Sequence, residues 1–173
     1  AGGEHTLDWR AVHLLGVDDG LTRCGGQGGS RGCEHRRGEL GSVVMSSQLV
    51  EEMRITMQKN ETVRFRIYEI IANFASASAE NLTRCKETQI LEPLLDEVSS
   101  GDSLILLNGV ELLKTLAASS HGRSYLEKQG TIQKLAITFV HLIDDPIGGL
   151  IIPGMVKFFG VMAHYDPGVI DRY

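Results

Sequence analysis

The sequence predicts an all-α protein, an armadillo- or HEAT-like helical repeat solenoid of about three partial repeats preceded by a disordered N-terminal tail. Three observations predict it. The stretch Tyr68-Glu-Ile-Ile-Ala-Asn-Phe-Ala75 returns as Val110-Glu-Leu-Leu-Lys-Thr-Leu-Ala117 and again as Val156-Lys-Phe-Phe-Gly-Val-Met-Ala163, at spacings of 42 and 46 residues. Self-similarity at that interval marks arrays whose units bury their apolar faces only against neighbouring units. Each copy carries apolar or small residues at helical spacing: Ile67, Ile70, Ile71, Phe74 and Ala75; Gly109, Leu112, Leu113, Leu116 and Ala117; Met155, Phe158, Phe159, Met162 and Ala163. Residues i, i+3, i+4 and i+7 share one helix face, so each set forms a single stripe. The third observation is a change in composition at residue 45. Residues 1–44 hold 11 of the 20 glycines and sustain no period of 2 or 3.6. Such a segment offers too little apolar surface to offset its ordering entropy, which makes it the disordered tail. Residues 45–173 make the repeat fragment.

The totals narrow the function classes. A net charge of -5 and a pI near 5.7 argue against nonspecific nucleic-acid binding, which needs a basic field to displace phosphate counterions. Cys24, Cys33 and Cys85 are odd in number and contain no Cys-x-x-Cys pair. They indicate neither a disulfide framework nor a standard zinc site, and they fit a reducing compartment, cytosol or nucleus. The apolar runs Leu104 to Leu107 and Leu150 to Ile152 fall far short of the roughly 20 residues that span a bilayer.

From Ser46 onward the elements follow in order. Ser46 or Ser47 can cap a helix with Leu49, Val50, Met53 and Met57 on its apolar side, ending near Lys59-Asn60. Glu61 or Thr62 opens the first repeated helix, which runs to about Ala77 with Arg64 and Arg66 on its outer surface. Ser78 to Lys86 forms a short helix or a loop. Gln89 to Val98 reads as a packing helix with Ile90, Leu91, Leu94, Leu95 and Val98 inward, Pro93 standing in its first turn where the missing amide is not needed. Gly101 closes the unit. Asp102 or Ser103 restarts the cycle, and Leu104 to Ala118 is the second copy. His121-Gly122 is expected to turn the chain before a short helix, Arg123 to Gln129, ended by Gly130. Ile132 to Ile143 is the second packing helix, ended by Asp144-Asp145-Pro146. Pro153 is expected to begin the third copy, which lacks a packing helix. That predicts an open array, part of something longer, with Phe158, Phe159 and Met162 uncovered.

Three segments carry a family resemblance: Glu61 to Ile71 (ETVRFRIYEII), His121 to Leu126 (HGRSYL) and Ile152 to Gly160 (IPGMVKFFG). With these, Met45 to Tyr173 resembles the family of 26S proteasome non-ATPase regulatory subunit 5, the proteasome base assembly chaperones, at nearly constant spacing. Residues 1–44 have no counterpart in it. The resemblance implies a helical-repeat chaperone of the regulatory-particle base. Its partner would be the C-terminal domain of one ATPase subunit, whose docking on the proteolytic core it delays, and it would leave before the finished particle forms. Members of the family are much longer than this chain.

No arrangement of residues points to catalysis, a metal or a cofactor. The histidines His5, His13, His35, His121, His141 and His164 are too scattered to form a ligand set. Glu51-Glu52, Glu92 with Asp96, and Asp144-Asp145 match ordinary solvated helix faces. A binding surface is the better expectation. In stacked repeats the last helix of each unit lines one side, and its outward positions lie two, six and nine residues past the anchoring apolar residue. Anchors Leu49, Ile90 and Ile132 give the outward sets Glu51, Ile55 and Gln58; Glu92, Asp96 and Ser99; and Lys134, Thr138 and His141, because offsets of four and seven share a face. The acidic first sets favour a partner with basic side chains. Two alternatives stand beside the chaperone: a groove for an extended peptide, whose usual Asn and Trp ladder is missing from these positions, and a truncated product with no working surface.

Overall fold

In the computed structural model, residues 45–172 are described, and the expected tail over residues 1–44 lies outside them. The described residues hold eight α-helices and no strand: α1 (Ser47–Lys59), α2 (Glu61–Ala77), α3 (Ala79–Glu87), α4 (Glu92–Val98), α5 (Ser103–Ala117), α6 (Ser120–Lys128), α7 (Thr131–His141) and α8 (Gly148–Tyr165), followed by a 3₁₀ turn at Pro167–Arg172. The chain divides into two units, residues 1–55 and 56–173. In the described part of the first, Val50 and Met53 are buried and Gln48 Nε2 donates to Glu52 Oε1 at 3.4 Å.

The second unit holds the repeat. Helices α2, α5 and α8, the three copies, pack side by side as a row. Ile67, Ile71 and Ala75 of the first copy, Gly109, Leu113, Leu116 and Ala117 of the second, and Met155, Phe158 and Met162 of the third are buried, as the stripes require. Ile70, Phe74, Leu112, Phe159 and Ala163 are half-buried. Phe158 and Met162 were expected to lie open, and the structure corrects this. The stripe of α8 faces α5 in the row, so burial of those side chains needs no further helix, and Val169 of the 3₁₀ turn is buried as well.

Side-chain caps start the helices. Asn60 accepts from Val63 N at 3.1 Å, Ser78 from Asn81 N at 3.1 Å, Asp102 from Leu104 N at 2.9 Å and Ser119 from Gly122 N at 3.1 Å. These satisfy amides that have no partner within the helix. The caps also reveal a register change. The caps of α2 and α5, Asn60 and Asp102, are 42 apart, but those of α3 and α6, Ser78 and Ser119, are 41 apart. The left-handed residues ahead of α4 and α7, Gln89 (φ 52°) and Gly130 (φ 68°), are also 41 apart. One residue is therefore lost where the first helix of the unit ends, and the second and third helices follow a shorter period.

Other local expectations are corrected too. Gln89 stands in the left-handed region, which breaks the helix there, so α4 begins at Glu92 although Ile90 and Leu91 remain buried. His121 and Gly122 lie inside α6, because Ser119 caps that helix two residues earlier than a turn at His121 would allow. Pro153 lies inside α8. It removes the amide that would bond the Gly149 carbonyl, and Gly149 is exposed to water, so the loss falls near the helix start where it costs little.

Small residues set the crossings. A Cβ on Gly109 would sit 2.2 Å from Val98 Cγ2, so glycine is what lets α4 close on α5. Below α4, Cys85 is fully buried, and burial, reinforced by the Glu92 charge, pushes its thiol up to about 12. Further on, Ser103 Oγ donates to Asp145 Oδ2 at 2.8 Å, tying the α7–α8 loop to the start of α5 and holding the Asp145 carboxyl below the usual range.

Leu116 is fully buried and Leu104, on the same helix, is 65% exposed. Leu116→Ala is therefore expected to lower unfolding free energy by about 2–5 kcal/mol and Leu104→Ala by less than ~0.5 kcal/mol. Gly109→Ala should cost about 1–3 kcal/mol through overpacking against Val98. Urea denaturation measures all three, and equal losses for Leu104→Ala and Leu116→Ala would refute the register of α5. In a Cys24→Ser, Cys33→Ser background, Cys85 is expected to resist alkylation at pH 8 in the folded chain and to react on unfolding. Rapid labelling of the native protein would contradict its burial.

Candidate partner-binding surface

The packing helices α4 and α7 carry the surface that the sequence singles out, and what holds α4 in place decides which of its carboxylates are available. Glu97 is turned inward. The Tyr68 hydroxyl of α2 donates to Glu97 Oε1 at 2.9 Å, and Arg64 Nε lies 3.4 Å from Glu97 Oε2. Burial first, then the hydrogen bond and charge of Glu97, push the Tyr68 hydroxyl well above its ordinary range. Arg64 is thus half-buried and committed to this contact, not on the outer surface as expected; Arg66 is exposed and pairs with Glu69 at 2.8 Å. Glu97 follows Leu94 by three residues and so shares its buried stripe. That position is the signal in the sequence for its inward orientation.

Each outward residue can now be placed. Glu51, Ile55 and Gln58 are exposed. Asp96 is exposed and makes no ion pair among the described residues. Glu92 is only half-buried, with Oε2 shielded from water and lacking a hydrogen bond. It lies beside the buried Tyr125 hydroxyl of α6, which burial first and the Glu92 charge second push upward. The carboxylate of Glu92 therefore faces the fold, and only Asp96 offers its charge freely. Ser99 is half-buried and donates to the Leu95 carbonyl at 2.6 Å. On α7, Lys134 and His141 are exposed, while Thr138 is half-buried and donates to the Lys134 carbonyl at 3.0 Å.

The register change explains the uneven result on α7. With a period of 41, Ile132 corresponds to Leu91 and not to Ile90. The counterparts of Glu92, Asp96 and Ser99 become Gln133, Ile137 and Val140. All three are exposed, Ile137 at 56% and Val140 at 61%. These two apolar residues are the part of the surface that constant 42-residue spacing misses. The signal that could have found them is the pair of turns before the packing helices, one residue closer together than the repeated helices are.

The HGRSYL segment turns out to be a joint between helices. His121 Nε2 hydrogen-bonds the Ala75 carbonyl of α2 at 3.0 Å, and Arg123 Nη1 donates to the Ala117 carbonyl at 2.8 Å while its guanidinium lies 3.8 Å from the Tyr165 ring centre on α8. A cleft between α2 and α5, lined by Phe65, Arg66, Glu69, Asn108, Glu111 and Leu112 among others, is rimmed by the pairs Arg66–Glu69 and Glu111–Lys114. Among the described residues no group of His, Cys, Asp and Glu could hold a metal, and no helix is long and apolar enough to cross a membrane.

Comparison with known proteins adds the identity of the family. The family model described as proteasome non-ATPase 26S subunit matches residues 40–173. The chain is 35% identical over 132 residues to the 26S proteasome non-ATPase regulatory subunit 5 of Mus musculus and 34% identical over 132 residues to that of Homo sapiens, covering 75% of this chain and 26% of each relative. It is 33% identical over 111 residues to the Drosophila melanogaster protein of the same name, covering 64% of this chain and 22% of the relative. The chain thus spans about a quarter of the length of these relatives. No solved structure matches it. By a family match that covers the whole repeat region, the chain belongs to the proteasome non-ATPase 26S subunit family.

Proposed function

We propose that this chain contributes to assembly of the base of the proteasome regulatory particle, as a chaperone that binds the C-terminal domain of one ATPase-ring subunit and departs before the particle is complete. The observation that carries the reading is the family match over residues 40–173, with relatives named as a 26S proteasome non-ATPase regulatory subunit. A packing-helix face with an unpaired carboxylate at Asp96 and exposed apolar residues on α7 supports it, since such a face suits protein recognition. The chain acts by binding and not by catalysis, in the cytosol or nucleus. Its partners are proteins, with no nucleic acid, membrane or cofactor involved.

The test is a pull-down with the isolated C-terminal domains of the six ATPase subunits, run with this chain and with a longer form of the protein. One domain is expected to be retained by both. Retention by the longer form alone would make this chain a truncated product without chaperone activity, and retention by neither would overturn the reading.

Within a retained complex, Asp96→Lys is expected to slow association several-fold at low salt and less at moderate salt, because rim charges act on encounter. Glu92→Lys should behave differently, lowering stability by about 1–3 kcal/mol through an uncompensated charge beside Tyr125 and Cys85. Stopped-flow association and thermal unfolding separate the two effects. If Asp96→Lys leaves association unchanged at both salt concentrations, the α4 face is not the contact.

A further inference from the structure

Helix α4 is held by apolar contacts that are complete and polar contacts that are not. Its inward residues Leu94, Leu95 and Val98 are buried. Among the described residues, the buried side-chain nitrogen and oxygen atoms that form no hydrogen bond are Arg64 Nε, Glu97 Oε2, Glu92 Oε2 and Tyr125 Oη. All of them lie where α4 meets its neighbours, Glu97 against Arg64 toward its end and Glu92 against Tyr125 at its start. Tyr125 is only 4% exposed. An unmet hydrogen bond inside a fold raises the free energy of the closed arrangement, and water meets it when the element lifts away.

The backbone at both ends of the segment favours the same motion. Gln89, three residues before α4, stands at φ 52°, a left-handed conformation that a residue with a Cβ adopts only under strain. The same place ahead of α7 is held by Gly130, which adopts it freely. Gly101, three residues past α4, is left-handed as well, at φ 84°. Between these two positions the helix has seven residues and no side-chain cap. Short segments of this kind open ahead of the whole fold.

Beneath α4 lies Cys85 of α3, fully buried and close enough to Glu92 and Tyr125 for charge on one to be felt by the others. While α4 is closed the thiol is shielded and keeps its proton, which makes it inert. Once α4 lifts, the thiol meets water and regains ordinary acidity.

We propose that α4 opens as a unit about Gln89 and Gly101 while the row of α2, α5 and α8 stays folded, and that Cys85, uncovered by this motion, is captured by a low-molecular-weight disulfide such as glutathione disulfide. In that step the Cys85 thiol gives its proton to water and its sulfur attacks one sulfur of the disulfide. The S–S bond of the disulfide breaks, a new S–S bond to Cys85 forms, and the other half leaves as a thiolate that takes up a proton. A tripeptide on Sγ cannot be housed where the thiol itself has no exposed surface, so α4 stays displaced until a free thiol reverses the exchange. The device makes the α4 face respond to the thiol–disulfide balance, and it does not rest on the partner proposed above.

The experiment uses the full chain in the Cys24→Ser, Cys33→Ser background, with iodoacetamide and glutathione disulfide as probes, mass spectrometry as the readout, and urea concentrations below the unfolding transition. Hydrogen exchange follows the amides of α4, α5 and α8 separately. Cys85 is expected to be modified far more slowly than a free thiol, at a rate that depends on urea much less steeply than global unfolding does, because opening α4 exposes little surface. Amides of α4 should exchange through the same opening, and those of α5 only through global unfolding. Gln89→Gly, which relieves the left-handed strain, should slow modification several-fold, and Glu97→Gln, which discharges the contact with Arg64, should speed it about tenfold. With glutathione attached, α4 is expected to lose protection while α5 and α8 keep it, and reduced glutathione should restore the original pattern. Modification that shares the urea dependence of global unfolding, rates that neither variant moves, or loss of protection across α5 and α8 overturns the proposal. Failure of glutathione disulfide to react where iodoacetamide does also overturns it.

Discussion

The fold depends on one constraint: a helix with an apolar stripe on one side must hide it, and in this chain each copy hides it against the next copy. Ile71, Leu113 and Phe158 occupy related positions on α2, α5 and α8, and all three are fully buried within the row. Burial of a large apolar side chain is worth about 1.5–3 kcal/mol. Most of the stability then lies in contacts between copies and little of it in any one helix, as expected for a repeat array. Long-range contacts are few in kind and repeat themselves. The same economy explains why the short helices α3, α4, α6 and α7 can vary in length and register while the row persists.

What the row does not supply is orientation for those short helices, and polar contacts supply it. Helix α4 spans only seven residues and has no side-chain cap, a weak helix by itself. Glu97 fixes it to Tyr68 and Arg64, and Glu92 faces Tyr125. Half-buried carboxylates cost some desolvation and add little net stability, but they penalise any arrangement in which their partners are lost. His121 on Ala75 and Arg123 on Ala117 and Tyr165 do the same for α6. The residues that most clearly carry the family resemblance therefore include the ones that fix helix to helix, and their spacing reflects geometry more than recognition.

The sequence made the repeated helices legible because periodicity and burial report the same thing there. The spacings of 42 and 46, the stripes and the caps near Asn60 and Asp102 all point to one register, and the buried residues follow it. The short helices were harder to read. Between Ala77 and Ser119 the period loses one residue, and one residue turns a helix face by about 100 degrees. That was enough to place Thr138 outward in place of Ile137, and to leave Val140 unnoticed. Glu92 failed for another reason. Its position on the helix permits exposure, but Tyr125 and Cys85 come from elements 33 and 7 residues away in sequence, and no local pattern announces such a meeting. Position on a helix predicts which way a side chain leaves the backbone; it does not predict what a second helix places in front of it.

The corrected register changes the character of the candidate surface. Read at constant spacing, the face runs from acidic to neutral and would act mainly by steering. In the register of the turns, the exposed carboxylate of Asp96 on α4 is followed on α7 by the exposed apolar side chains Ile137 and Val140. These two chemistries control different stages of association. Exposed charge accelerates encounter and is weakened by salt, whereas apolar burial governs how long the complex lasts. On the proposed reading, a chain that holds a subunit during assembly and then releases it needs a complex whose lifetime can be ended. Two exposed apolar side chains suit that purpose better than a broad buried interface, because covering them contributes only a few kcal/mol.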